Sequence, residues 1–447
     1  LLSFLLIPVY TSYLSTEKFG AVDLLINIVQ LFYPILNLSI HEAVLSFALD
    51  RKNDAKMVCT VAARYNVCSV GMFVCGTLLL RYFNIIQISN SYVEFVCVLY
   101  VVNLCNLYFS ILAKVYNRLG LLAIAGLCNT LLYLGLSILL LKYLHWGIDG
   151  YMFAYIAGML LSVVILAIGL ADRKPLGKGY NRILAAQMRK FSCPLILNQS
   201  AWWMNNVSDR YMLAGALGTQ MNGIYSMAYK IPNIISTFQN FVLQAWTISA
   251  IEEHGDVEAN NYYSKVFSIY CFLLCSIASI LMILNNAISK VLFKNDFYEA
   301  KQYVPILLLA VIYSSYSYFL GAILVAEKDS FIIAKSTIVG AVINVILNGT
   351  LIPFFLIYGA VIATIISNFI IMLYRFLVIF NRKKLKVNIF NQILLNALLI
   401  TQITLCNQDR YFFHICIFAI IMATNHRLLY ELYKKGKEYI WKILNEK

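Results

Sequence analysis

Six residues between positions 226 and 244 are out of keeping with the apolar chain around them. Ser226, Lys230, Asn233, Thr237, Asn240 and Gln244 recur at steps of four, three, four, three and four. On an α-helix that spacing stacks side chains on one face. The face would run about 27 Å at ~1.5 Å per residue, close to a hydrocarbon core of about 30 Å. Lipid does not accept such a face, so it is expected to look onto protein or water. An offset of 203 residues carries the same stripe onto Asp23, Asn27, Gln30, Pro34, Asn37 and His41, with Leu14, Thr16 and Gly20 echoing Leu217, Thr219 and Gly223. Two membrane helices with one stripe at one depth read as facing walls of a water-filled cavity, related by an internal repeat.

Other polar residues fall at membrane depth. Lys230 lies nine residues past Met221. An isolated lysine there costs about 2.5–3.5 kcal/mol on insertion scales. Snorkelling to an interface, a structural ion pair or an anionic ligand would each offset that cost. Arg64 lies eight residues past Lys56, with Asn66 nearby. Asn198, Trp202, Asn205 and Asp209 step by four, three and four. This mixed amide and aromatic face suits a sugar, or a polar seam between helices. Trp203 is expected to face lipid. Asp209 and Arg210 read as an intrahelical or gate pair, and His41 and Glu42 as a gate or proton site. Arg375, five residues from the end of its apolar run, is expected to snorkel.

The elements that would position these residues are transmembrane helices. The 447 residues are 61% hydrophobic and 13% charged, with a mean hydropathy of +0.75. A soluble domain would be about 25% charged. Apolar runs at 1–14, 20–48, 57–80, 91–113, 121–141, 150–170, 191–213, 221–250, 262–284, 303–326, 331–352, 354–380, 389–406 and 411–429 read as about fourteen spans. The expected organisation is a six-helix lobe over 1–170, a basic linker over 171–190, a parallel six-helix lobe over 191–380, and two further helices with a basic tail over 381–447. The chain opens inside an apolar run without Met, so the start of the first span is expected to be missing.

Lys and Arg number 24 in the loops after even-numbered spans and in the tail, against eight in the other loops. This bias places both ends in the cytoplasm. It also accounts for most of the +14 charge without a nucleic-acid partner. The eleven cysteines fall in apolar runs, with no Cys-x-x-Cys and no Cys/His cluster, and read as small apolar residues. No phosphate-binding glycine loop or metal-ligand spacing is present. No loop exceeds about twenty residues, which leaves no room for a soluble catalytic domain.

Several motifs share an order. Asn344-Val345-Ile346-Leu347-Asn348 leads to Ile352-Pro353 and then to Tyr358-Gly359-Ala360-Val361-Ile362-Ala363-Thr364. Pro8, Leu14-Ser15 and Phe19-Gly20 stand near the start, and Asp209-Arg210 is followed by Gly223-Ile224-Tyr225-Ser226. In these features the chain resembles the Wzx-type lipid-linked oligosaccharide flippases of the multidrug/oligosaccharidyl-lipid/polysaccharide exporter superfamily.

The resemblance implies fourteen helices around a central cavity, and no enzyme. It implies movement of an undecaprenyl-pyrophosphate-linked repeat unit across the bacterial inner membrane by alternating access. Under it, Lys230, Arg64 and Arg210 hold the pyrophosphate. Asn27, Gln30, Asn37, Asn198, Trp202, Asn205, Asn233, Asn240 and Gln244 line the sugar cavity. Asp23, His41, Glu42 and Asp209 gate the cavity or couple it to Na+ or H+, and no other cofactor is implied. Membrane lipids and polysaccharide polymerase or assembly proteins are the expected partners. The rivals are a cation-coupled multidrug exporter of the same fold and an integral-membrane polysaccharide polymerase or ligase.

Overall fold

The computed structural model describes residues 2–49, 54–83, 89–173, 176–177, 179–253, 259–327, 329–383, 386–406, 411–426, 429–430 and 434. Among them every regular element is helical. The helices are α1 (Ile7–Tyr13), α2 (Thr16–Leu36), α3 (Ile40–Leu49), α4 (Ala55–Tyr82), α5 (Asn90–Val115), α6 (Leu119–Ser137), α7 (Gly147–Gly169) and α8 (Arg182–Leu217). They continue as α9 (Thr219–Ala228), α10 (Asn233–Glu252), α11 (Ala259–Leu292), α12 (Val304–Ala326), α13 (Ser330–Phe355), α14 (Ile357–Lys383), α15 (Ile389–Leu405) and α16 (Tyr411–Thr424).

Within the described residues each of the fourteen expected spans is helical over most of its length, but nine helices among these residues are long and apolar enough to cross a bilayer. The others fall short for separate reasons. α1, α15 and α16 are short, and α8 is long but polar. The expected span over 221–250 is two helices, because Pro232 has no amide hydrogen and disfavours helix at Ile231. The expected span over 20–48 is also broken, at Leu38 and Ser39, whose φ angles are 56° and 49°. The Ser39 amide there donates to the Pro34 carbonyl at 2.8 Å. Both breaks fall inside the polar stripes, so neither stripe is one straight helical face.

Side-chain caps start several helices. Ser15 accepts from the Lys18 amide, Asp54 from Lys56, Asn181 from Ile183 and Leu184, and Asp329 from Ile332. Each satisfies amides that a helix start leaves unpaired.

The chain divides into two compact units, Leu1–Ser226 with Leu292–Phe297, and Met227–Val291 with Tyr298–Lys447. The division falls inside the second polar stripe, not in the basic segment at 171–190. In the first unit α8 packs on α2 and α3. Leu184, Ala185 and Met188 of α8 join Ile40, Ala43, Val44, Val58 and Val61 in one buried cluster. In the second unit α12 is buried along most of its length and packs on α10 and α14. An all-round apolar helix suits that central place.

One packing device recurs, once in each unit. A Cβ on Gly150 would lie 2.9 Å from the Trp146 Cβ and 3.0 Å from the Leu140 Cβ, so this glycine lets α7 start hard against the helical turn Ile138–Tyr143 that follows α6. A Cβ on Gly359 would lie 2.4 Å from the Leu351 carbonyl oxygen, so α14 starts in the same way against α13. The Asn344 and Asn348 motif works on the second hairpin. Asn348 donates to Asn344 at 2.9 Å, and Asn344 donates to the Ser367 hydroxyl of α14 at 3.2 Å.

Candidate functional site

The two repeat-related glycines meet. A Cβ on Gly20 would lie 2.0 Å from the Thr219 carbonyl oxygen, and one on Gly223 would lie 2.0 Å from the Thr16 carbonyl oxygen. These contacts are mutual across the 203-residue offset, so α2 and α9 cross backbone to backbone at equivalent positions. Asn222 locks the crossing by donating to the Gly20 carbonyl at 2.8 Å.

One turn along, the crossing builds a polar cluster. The Asp23 carboxylate accepts from Arg210 Nη1 at 2.8 and 2.7 Å and from the Ser226 hydroxyl at 2.7 Å. Asn27 donates to the Asp23 carbonyl at 2.7 Å and to its carboxylate at 3.3 Å. The Arg210 and Asp23 side chains are 17% and 14% exposed. Charge-assisted bonds at this burial are stronger than those in water, and separating the pair is costly. Asp209 is 1% exposed and accepts from the Arg210 amide at 2.9 Å and from the Tyr225 hydroxyl. Two further α8 side chains reach the α2 backbone. Trp203 donates to the Asn27 carbonyl at 2.8 Å and Tyr211 to the Leu24 carbonyl at 2.6 Å. Trp203 is therefore a helix tie and does not simply face lipid.

A second polar group surrounds the break between α2 and α3. Gln199 of α8 donates to Glu42 at 3.0 Å and lies 3.4 Å from His41 Nε2. Ser39 donates to Gln199 at 3.4 Å, and His41 lies 3.4 Å from Glu42. Asn37 caps α2 and bonds Asn66 of α4. His41 and Asn37 are buried, whereas Glu42 is exposed.

Arg64 occupies a different setting. It is exposed on α4, and its guanidinium lies 4.6 Å from the centre of the Tyr180 ring. Thr60, one turn earlier, anchors the segment that carries Tyr180 by accepting from the Gly177 amide at 2.8 Å. Arg64, Tyr65 and Tyr180 line a cavity of about 550 Å³, with Cys68, Leu36 and Met72 among its other walls.

In the second unit, Lys230 is half-buried and stands in the turn between α9 and α10, not on a helix face. Asn233, Thr237, Asn240 and Gln244 of α10 are all exposed. Gln239, off the stripe, is buried and accepts from the Ser315 hydroxyl at 2.7 Å. Arg375 does not snorkel. It is 1% exposed and donates to the Ser317 carbonyl at 2.8 Å, the Ser336 hydroxyl at 2.9 Å and the Thr337 hydroxyl at 3.0 Å. Gly321 makes room for it, because a Cβ there would lie 2.9 Å from Arg375 Nη1. The arginine thus ties α14 to α12 and α13.

The family model described as polysaccharide biosynthesis protein matches residues 1–248, more than half of the chain. The chain belongs to that family. Its fold is also that of solved transporters. An inward-facing multidrug resistance MATE family transporter of the MOP superfamily is similar over 86% of this chain and 95% of its own, at 14% identity and a TM-score of 0.72. The lipid II flippase MurJ in an inward closed conformation is similar over 96% of this chain and 97% of its own, at 14% identity and a TM-score of 0.66. A MOP superfamily transporter from Pyrococcus furiosus is similar over 85% and 91%, at 14% identity and a TM-score of 0.58. No curated protein matches the sequence. The all-helical membrane fold expected from the sequence, and membership of a polysaccharide biosynthesis family, both stand.

For this member of the family, the structure collects some expected residues and leaves others apart. Asp23, Asn27, Asp209 and Arg210 form one cluster, and His41 and Glu42 form another with Gln199. Asn205 is buried on α8, whereas Asn198 and Trp202 are half-buried and Gln30 is exposed. Sequence reasoning missed Ser226 as a partner of Asp23, although it had placed both at one stripe position. It also missed Gln199, Tyr180 and the α2–α9 crossing. Gly20 and Gly223 were legible as a matched pair, but their contact was not.

Proposed function

We propose that the chain flips an undecaprenyl-pyrophosphate-linked oligosaccharide from the cytoplasmic to the outer leaflet of the bacterial inner membrane, by alternating access and with no catalytic step. Membership of the polysaccharide biosynthesis family supports the substrate class. The observation that carries the reading is the Arg210–Asp23–Ser226 cluster, a largely buried cation held against the Asp23 carboxylate. A pyrophosphate offers the guanidinium more acceptor oxygens than Asp23 does, so substrate competes for Arg210 and releases Asp23. Such competition gives the ligand different affinities for the latched and unlatched states, which alternating access requires.

With both termini in the cytoplasm, Arg64 sits about 14 Å in from the start of α4, at ~1.5 Å per residue, and meets the substrate first. Lys230 and Arg210 hold the pyrophosphate deeper. The exposed amides Asn233, Asn240 and Gln244 bond sugar hydroxyls, with Asn27, Gln30, Asn37, Asn198, Trp202 and Asn205 as further wall residues. Released Asp23, with His41, Glu42 and Asp209, supplies the groups for Na+ or H+ coupling. Polymerase or assembly proteins take the product.

The test is polymer display in the native pathway. Arg210→Ala and Arg64→Ala, inserted at wild-type levels, are expected to abolish surface polymer and accumulate lipid-linked precursor. Normal polymer from the double variant would overturn the cationic site. Drug efflux by the wild-type chain, with no change in polymer on its deletion, would favour the exporter of the same fold.

A further inference from the structure

The first unit carries two cavities that share a wall. One is the Arg64 pocket of about 550 Å³. The other, of about 270 Å³, lies between α2, α4 and α5 and is lined almost entirely by apolar side chains. Leu36 and Met72 belong to both, so the groove continues from the pocket. Along α2, Leu25, Ile28, Phe32 and Leu36 follow at steps of three and four and form one stripe. At ~1.5 Å per residue the stripe is about 16 Å long. Phe73 forms an aromatic floor, stacked on Tyr100 at 4.0 Å and met edge-on by Phe32 at 5.9 Å. The Thr77 hydroxyl donates to the Phe73 carbonyl at 2.7 Å, so this groove residue has its hydrogen bond within its own helix. Gly76 lines the groove, and a Cβ there would meet nothing within 4 Å, so there is room at this position for a side chain that would fill it.

The two ends differ in chemistry. Arg64 is an exposed cation whose guanidinium carbon lies 4.6 Å from the centre of the Tyr180 ring, and an exposed guanidinium can turn its forked N–H donors to an oxyanion. Arg189 lies in electrostatic reach of Tyr65 in the same pocket wall and adds positive potential. Among the described residues, none that lines the groove beyond Met72 is charged. A cation at one end and an apolar channel one stripe wide at the other match an amphiphile with one chain.

We propose that pocket and groove together hold one single-chain isoprenoid phosphate lipid, its phosphate on Arg64 and Tyr180 and its chain along α2 past Gly76. This rests on the flippase reading and adds the seat of the lipid before it is moved. A boundary phospholipid has two chains and is the competing occupant.

Cys68 is exposed and lines the pocket, so the wild-type protein supplies its own reporter. The measurement is the rate of Cys68 alkylation by N-ethylmaleimide, read by peptide mass spectrometry on full-length protein in zwitterionic nanodiscs. The probes are undecaprenyl pyrophosphate, inorganic pyrophosphate and dioleoyl phosphatidylglycerol. Undecaprenyl pyrophosphate at about ten times its dissociation constant is expected to slow Cys68 alkylation about tenfold, and the other two less than about twofold. Gly76→Trp, which fills the groove, and Arg64→Ala are each expected to abolish the protection.

Equal protection by phosphatidylglycerol in the wild type would overturn the proposal in favour of a boundary lipid, without needing any variant to fold. Undiminished protection in a folded Gly76→Trp would overturn the groove. Thermal stabilisation of the wild type by undecaprenyl pyrophosphate with Cys68 unprotected would place the lipid elsewhere, so this inference falls while the flippase reading stands. No binding at all would remove both.

Discussion

The stripe from Asp23 to His41 and the stripe from Ser226 to Gln244 have the same spacing, but most of the first is buried and the α10 part of the second is exposed. In the first, Asn27, Pro34, Asn37 and His41 are buried, and Asp23 is held by three neighbours. In the second, Asn233, Thr237, Asn240 and Gln244 all remain exposed. The difference lies in what packs alongside. α8 lies over α2 and α3 and brings Gln199, Trp203, Arg210 and Tyr211 to them, so most of the first stripe is spent on protein partners. The α10 residues on the second stripe lack such a cover, and α10 turns Gln239 to the core instead. A polar pattern at membrane depth therefore marks either a polar seam or a wetted wall, and spacing alone does not separate the two.

The comparison can be broken most forcefully at the crossing. Gly223→Ala puts a methyl 2.0 Å from a backbone carbonyl of α2, so a helix must move. A loss of roughly 3 kcal/mol, the upper end for overpacking, is expected in thermal or denaturant unfolding in detergent. Gly126→Ala, where a Cβ meets nothing within 4 Å, should be tolerated. Equal stability of the two variants would remove the backbone crossing.

Asp23→Ala removes the Asp23 carboxylate from half-buried Arg210 and is expected to cost about 3 kcal/mol, toward the lower end for breaking a buried ion pair. Arg210→Met in the same chain should recover part of that loss, and a double-variant cycle measures how much. Additive effects would show that the two side chains do not interact.

The smallest effect on folding is expected in the second stripe. Asn240→Ala with Gln244→Ala should change stability by less than about 0.5 kcal/mol, as exposed positions do. The same change is expected to reduce surface polymer and raise lipid-linked precursor. A large destabilisation with normal polymer would make this stripe a seam like the first.

Much of the fold was legible. The apolar runs located the helices, and the Pro232 break follows from a rule about the residue before proline. The break at Leu38 and Ser39 was not legible, because positive φ at residues of these types is set by the packing of α3 and α8, not by local preference. Arg375 shows the same limit. Its distance from the helix end pointed outward, but a glycine 54 positions earlier opened a place for it inside. Of the candidate site, the stripe members were legible and their partners were not. Arg210 reaches Asp23 across 187 residues, and nothing local to either announces the other.

By itself the sequence determined a helical membrane chain, the positions of its two polar stripes, and a repeat that matches Gly20 with Gly223. These follow from short-range periodicity and composition, which one turn of helix already expresses. The tertiary structure alone decided that the matched glycines touch, that Asp23 takes Arg210 and Ser226, that Arg375 turns inward, and that most of one stripe is covered while the α10 part of the other is left open. Those outcomes depend on which helix lies against which, and long-range packing leaves no mark in the local spacing of residues.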